Sequence, residues 1–290
     1  VRESAAETQR RTLFGVLAHR SVDVVHLHGL DFDRYLPPDD GPVLATIHLP
    51  PELLVADLES VRRPHTWMHG VSRAHQARLP ALPNVLPPIE NGVSVDALPR
   101  PLTRRNFALA FGRICPEKGY HLGLDAARLA GTPLLLGGSV FPYEDHQRYF
   151  EHEILPRTGR DRRFVGPLSR ARKRRLLNSA RCLLIPSQVP ETSSLVAMEA
   201  LACGTPVIAF RAGALPEIVE HGVTGFVVDD VEQMAEAIRR ADTIDPAACR
   251  AAAQTRFSAA RMADTYLERY ERILGWSTTP SSTLAPSSSV

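Results

Sequence analysis

"CLLIPSQVPETSSLVAMEALACGTPVIAF", residues 182–210, contains two apolar runs with a helix-forming segment between them. The runs CLLI and PVIAF have the length and β-branched content of buried strands. LVAMEALAC has helical composition and is stopped by Gly204. A strand, a crossover helix and a second strand make a βαβ unit, whose strands lie parallel. The stretch holds only two acidic side chains, Glu191 and Glu199, one before the helix and one within it.

The same alternation continues on both sides. FALAFGRI (107–114), TPLLLGG (132–138), RRFVGPL (162–168) and GFVVDD (225–230) are four more strands. Between them lie the helices GYHLGLDAARLAG, RARKRRLLNSA and VEQMAEAIRRA, which implies a parallel sheet covered on both faces. Residues 1–95 hold an opening helix (AAETQRRTLFGVLAHR) and three short strands, in VDVVHLHG, at 43–47 and in MHGVS. Residues 53–79 are expected to be helical or mixed, and 80–101 are dense in proline. The expected organisation is a partial N-terminal Rossmann-like domain (1–95), a linker (96–106) and a second Rossmann-like domain (107–257). A C-terminal helix (258–275) packing back on the first domain and a disordered tail (276–290) complete it. A doubly wound domain normally opens on a strand and a glycine-rich turn. This chain opens on a helix, with Val1 in place of methionine, so the first domain is expected to be truncated at its beginning.

Composition narrows the class. With 290 residues, 44% hydrophobic and 23% charged, the chain is long enough for two globular domains. A net charge of +2 gives no electrostatic case for nucleic acid or more than peripheral membrane contact. Cys115, Cys182, Cys203 and Cys249 form no C-x-x-C pair, which suits buried free thiols in a reducing cytoplasm. Only two of the 34 basic residues are lysines, Lys118 and Lys173.

In AFGRICPEKG, Gly112 ends a strand, and Arg113 and Lys118 flank the loop into the next helix. Ligands of open parallel sheets sit beyond the carboxyl ends of the strands, where helix amino ends add partial positive charge. Two cations there suit a diphosphate; alternatively they are solvated surface charges. Gly137 and Gly138 would let a ligand approach the backbone closely. Thr192, Ser193 and Ser194 are N-cap candidates for the helix from Leu195, whose free amides would face the same crevice. Glu199 has the apolar neighbours Val196, Ala197, Met198, Ala200 and Leu201. It is therefore expected to be paired or ligand-bound, the alternative being an exposed helix glutamate. His26 and His28 alternate on a strand but lack further metal ligands. EDHQRYFEHE (144–153), rich in histidine and acids, is expected to be a solvated helix, the alternative being a metal site; RARKRR (170–175), which has the composition of a nucleic-acid patch, is expected to be an exposed helix face near the crevice.

PETSSLVAMEALACGTPVIAFRAGALPEIVEHGVTGFVV resembles the family 4 glycosyltransferases, retaining enzymes of the GT-B fold with two facing Rossmann-like domains. Glu191 and Glu199 match that family's E-x7-E. Gly204, Pro206, Val207, Gly213, Glu217, Gly222 and Gly225 match its following elements. Gly112, Arg113, Lys118 and Gly119 match G-R-x4-K-G, TIHLP supplies His48, and IENGV supplies the Asn-Gly that closes the first domain. Ser193 and Ser194 replace the usual Phe-Gly, and the family's first strand and glycine-rich loop have no counterpart.

The resemblance implies transfer of a sugar from a nucleoside diphosphate sugar to a glycan, lipid or small-molecule acceptor, with retention and without a metal cofactor. Glu191 would orient the sugar, Glu199 the ribose, and His48 a sugar hydroxyl. Arg113, Lys118 and the helix end at Ser193, Ser194 and Leu195 would hold the diphosphate, with Gly112, Gly137 and Gly138 beside it. The rival readings are a truncated relative that binds donor without efficient transfer, a pyridoxal phosphate-dependent glycan phosphorylase, and a nicotinamide oxidoreductase, for which no G-x-G-x-x-G is present.

Overall fold

The computed structural model describes residues 2–38, 41–54, 56–59, 61–95 and 105–278. Most of the expected linker lies outside the described residues, as does the expected tail from 279 on; residues 276–278, expected in that tail, instead continue the last helix, which ends at Thr278. The chain divides into two compact units. The first is Val1–Gly70, Leu79–Pro87 and Ala263–Val290; the second is Val71–Arg78 and Pro88–Met262.

Elements follow in chain order. Helix α1 (Arg2–Leu17) precedes β1 (Val25–Leu27), β2 (Val43–Thr46), β3 (Thr66–His69) and the one-turn α2 (Arg73–Gln76). Then come β4 (Ala108–Phe111), α3 (Tyr120–Leu129), β5 (Leu134–Gly137), α4 (Glu144–Tyr149), β6 (Arg162–Phe164) and α5 (Arg170–Ser179). Next are β7 (Cys182–Ile185), α6 (Leu195–Ala202), β8 (Val207–Phe210), α7 (Leu215–Ile218) and β9 (Gly225–Val228). Helices α8 (Val231–Arg240), α9 (Pro246–Arg256) and α10 (Ala259–Thr278) close the chain.

In the first unit β1-β2-β3 form a three-stranded parallel sheet. β3 begins two residues earlier than MHGVS suggested. Among the described residues, the stretch expected to be helical or mixed (53–79) holds as helical structure α2 and, at its start, the end of a 3-10 turn (Pro51–Leu53). In the α10 segment belonging to this unit, Ile273 is fully buried, with Tyr266 and Tyr270 packed beside it on Leu44 and Leu86.

The second unit has six parallel strands in the order β6-β5-β4-β7-β8-β9. Counted from its first strand this is 3-2-1-4-5-6, the doubly wound order, and the order reverses between β4 and β7. β4, β7 and β9 are buried at every position, as a sheet covered on both faces requires. Two segments assigned by sequence to the first domain cluster with this unit instead. α2 is held there because both carboxylate oxygens of Glu217 accept backbone N–H bonds, from Arg73 at 3.0 Å and Ala74 at 2.5 Å. Residues 88–95 are held because Val93 bridges Ser258 in parallel.

The 144–153 segment is helical with most of its side chains exposed, as expected, but one side of it is buried. His146 and Tyr149 are buried, and α4 continues through a π-turn (Phe150–Ile154) that buries Ile154. The Tyr149 hydroxyl accepts the His121 N–H at 3.2 Å, which ties α4 to α3. Among the described residues no helix is long and apolar enough to cross a membrane.

Candidate active site

The switch point between β4 and β7 gathers most of the residues singled out from sequence. After β4 the chain turns at Gly112, with φ of +155°. Gly138, after β5, has φ of +154°, and a Cβ there would overlap the Gly112 carbonyl. Two strand ends thus approach more closely than side chains would allow. Arg113 follows, its Nη2 donating to Glu117 Oε1 at 3.1 Å. Partial burial works against the Arg113 charge, but Cys115, Glu117 and Glu191 outweigh it and hold the guanidinium more firmly protonated.

The loop after β7 clamps the loop after β4. Gln188 N–H donates to the Glu117 carbonyl at 2.9 Å, and Gln188 Nε2 donates to the Pro116 carbonyl at 3.0 Å. Gly119, at φ +61°, lies so close to the Pro186 carbonyl that no Cβ would fit. This clamp brings Lys118 to Glu191, with Nζ to Oε1 at 2.6 Å. Side-chain exposures are 27% and 12%, so the pair is largely shielded from water. Glu191 is fixed from the other side by Gly213, which bridges it in parallel at φ +57°. The Ala214 N–H also donates to the Glu191 carbonyl at 2.8 Å.

Ser194 is the N-cap of α6, its hydroxyl accepting the Ala197 N–H at 3.3 Å. The Ser193 hydroxyl is buried and has no hydrogen-bond partner among the described residues. The Ser-Ser pair therefore does two jobs: one hydroxyl caps the helix and the other remains available beside its free amides. Leu195, the first helical residue, is half-exposed.

Glu199 is paired, and its partner is the chain's other lysine. Lys173 Nζ, from α5, lies 2.6 Å and 2.8 Å from the two Glu199 oxygens. It also stands 5.5 Å from the centroid of the Phe111 ring. Sequence reading placed 170–175 on an exposed face and missed Lys173. The signal was present: lysine is so scarce that each one asks for a reason, and each E-x7-E glutamate proves to hold one lysine. Lys173 joins Phe111, Gly112, Arg113, Gly137 and Gly138 around a cavity of about 300 Å³. A second cavity, of about 230 Å³, is lined by Leu195 and Glu199 of α6 and by Lys173 and Arg174 of α5.

His48 belongs to the first unit. Its Nε2 lies 3.0 Å from His28 Nδ1, and the two rings stack at 5.3 Å. His26 does not join them as a metal ligand, because both its nitrogens are engaged: Nδ1 with the Tyr270 hydroxyl at 2.6 Å, Nε2 with Thr46 Oγ1 at 2.7 Å. Thr46 Oγ1 also meets His69 Nε2 at 2.8 Å. Burial, then the neighbouring His28, His69 and His48, pushes His26 down to about 3. Burial pushes His69 down to about 4.

A sheet in the order β6-β5-β4-β7-β8-β9, with two acid–lysine pairs and glycine turns at its switch point, makes the second unit a doubly wound α/β domain. Residues 99–256 match the sequence model described as glycosyl transferases group 1, and the chain belongs to that family. Among curated relatives, the D-inositol 3-phosphate glycosyltransferase of Mycolicibacterium smegmatis is 35% identical over 171 residues, 56% of this chain and 39% of that protein. The glycogen synthase of Mycobacterium tuberculosis is 36% identical over 187 residues, 60% of this chain and 42% of its own. The chain thus spans about two fifths of the length of these relatives. Among solved structures, AviGT4, a glycosyltransferase involved in avilamycin A biosynthesis, superposes with a TM-score of 0.74 at 25% identity, over 93% of this chain and 78% of its own. The sucrose-phosphate synthase of Thermosynechococcus elongatus gives 0.76 at 22% identity, over 95% and 80%. Anabaena HepE in complex with UDP and glucose gives 0.70 at 21% identity, over 93% and 80%. The fold is GT-B: two Rossmann-like units with parallel sheets, of three strands in the first and six in the second.

Proposed function

We propose that the chain is a retaining glycosyltransferase that takes a sugar from a nucleoside diphosphate sugar and passes it to a hydroxyl acceptor. One observation carries the reading: both lysines of the chain pair with the two E-x7-E glutamates around the amino end of α6. Anabaena HepE, of the same fold, is recorded with UDP-glucose.

As the glycosidic bond breaks, the diphosphate gathers negative charge. Arg113, Lys118 and the free amides of α6 stand at one sheet edge to receive it, with the Ser193 hydroxyl as a further donor. Gly112, Gly137 and Gly138, which line the cavity beside Arg113, would flank the phosphates. Glu191, held by Gly213, orients the sugar, and Glu199, held by Lys173, takes the ribose hydroxyls. Two cations and a helix end neutralise the diphosphate, so the transfer step does not call for a metal. His48 stays in this reading on the strength of the family resemblance. The four cysteines are free and buried, which supports a reducing, cytoplasmic setting.

Calorimetry with UDP-, GDP- and ADP-sugars tests the reading. One of them is expected to bind with unit stoichiometry and to be hydrolysed slowly without acceptor. Failure of all three to bind would end the proposal.

A further inference from the structure

Cys115, Glu117 and His146 bring a sulfur, a carboxylate oxygen and a ring nitrogen within 4.8 Å of one another. No other group of three or more such ligands comes together among the described residues. None of the trio is assigned to donor or acceptor, and Glu117 enters the sugar-transfer chemistry only through its pairing with Arg113. Cys115 and His146 are buried, while the Glu117 side chain is 34% exposed and leaves a way in from solvent.

His146 supplies the second observation. The residue is only 5% exposed, and its Nδ1 is buried without a hydrogen-bond partner. Its Nε2 faces the Asp145 carboxylate at 3.9 Å. Burying a ring nitrogen unpaired costs free energy, and native structures rarely tolerate it without a reason.

We propose that Cys115, Glu117 and His146 bind a thiophilic divalent cation, zinc being the first-row ion that best suits one thiolate, one imidazole and one carboxylate with an open fourth position. Thiolate and carboxylate together balance the charge of the ion. Binding transfers the Cys115 thiol proton to solvent, so one proton leaves for each ion bound. With bonds of about 2.0–2.3 Å, tetrahedral ligand atoms stand about 3.5 Å apart, and the trio closes by about 1 Å on binding. Glu117 supplies most of that movement as its exposed side chain swings inward. The ion then ties the loop after β4, which also carries Arg113, to α4.

The test uses the whole chain, stripped of metal and kept reduced, titrated with Co²⁺ and then with Zn²⁺ against a chromophoric chelator. The expected result is a thiolate-to-cobalt charge-transfer band that saturates at one equivalent and is displaced by zinc. Cys115→Ser should abolish the band, and Glu117→Gln should weaken zinc binding by at least about tenfold. Glu117 is partly exposed, so its variant keeps the test informative if Cys115→Ser fails to fold. No band at one equivalent, a band that survives Cys115→Ser, or wild-type zinc affinity in Glu117→Gln would each overturn the proposal.

Discussion

Replacing Lys118 by alanine separates two roles that the geometry assigns to one ammonium. Lys118 pairs with Glu191 at 2.6 Å, and in the proposed reaction it also meets the leaving diphosphate. Its removal strands a carboxylate whose side chain is only 12% exposed. Exposed pairs contribute about 0–1 kcal/mol and breaking fully buried ones costs about 3–5, so this intermediate pair should cost about 2 kcal/mol of stability. Loss of one charge-assisted contact to a diphosphate removes about 1.5–3 kcal/mol, or roughly ten- to hundredfold in Kd. Loss of one preorganised donor to the developing charge lowers turnover about 10²–10³-fold. The assay is calorimetry with the nucleoside diphosphate of the preferred donor, which carries the phosphates and lacks the sugar. Lys118→Ala should bind it ten- to hundredfold more weakly, whereas Glu191→Gln should bind it nearly as well as the parent. The double variant decides the matter. If Lys118 served only to neutralise Glu191, adding Glu191→Gln to Lys118→Ala would restore binding, and that restoration would refute the diphosphate role.

Three further outcomes are expected. Lys173→Met leaves Glu199 without its cation, so Kd for a nucleoside diphosphate should rise about tenfold, equivalent to about 1.4 kcal/mol; a base-free pyrophosphate should lose less, because Glu199 is assigned to the ribose. Gly213→Ala places a Cβ at φ +57° against the Glu191 backbone, costing about 1–2 kcal/mol for the left-handed conformation. Displacing Glu191 should lower turnover about 10²-fold, and parental activity in that variant would show that Glu191 needs no such placement. The first unit should be acid-sensitive. His26 and His69 are held to about 3 and about 4 by burial, below their unfolded value of 6.5. Between these limits the unfolded chain binds more protons, so their contribution is present above about pH 6.5 and is lost as pH falls towards 4. Thermal melts at descending pH should show this, with a shallower loss in His69→Gln.

The second unit was legible because its strands are short, apolar and bounded by glycine or proline, and because helices alternate with them. β4 to β9 all fall where FALAF, LLLG, RRF, CLLI, VIAF and GFVV placed them. What escaped were contacts between distant segments. Nothing local to RARKRR shows that its lysine turns towards Glu199, 26 residues away. The burial of His146 was hidden by charged neighbours, which suggested a solvated surface until the tertiary fold placed Phe141 and Tyr143 around the ring. Glu217 was visible only as a motif letter, since its role in capping α2 spans 144 residues to Arg73. In the first unit β3 begins on Thr66 and Trp67, which the apolar reading of MHGVS left out, so its start was not fixed by that run.

The spacing between the two glutamates has a mechanical explanation. Glu191 precedes the Ser194 cap by three residues and is positioned by backbone contacts with Gly213, not by the helix. Glu199 is the fifth residue of α6, about 7.5 Å along its axis. Leu195, Glu199, Ala202 and Cys203 line one cavity because they share a helical face, the one turned towards Arg170, Lys173, Arg174 and Leu177 of α5. A shift of one residue between Ser194 and Glu199 would rotate the carboxylate by about 100°, away from Lys173. A shift between Glu191 and Ser194 would unseat the pairing with Gly213 while leaving the helix intact. The two acids are thus held by unrelated devices, a glycine-bridged loop and a lysine-facing helix. A single-residue insertion on either side of Ser194 should therefore remove one carboxylate's function and spare the other's.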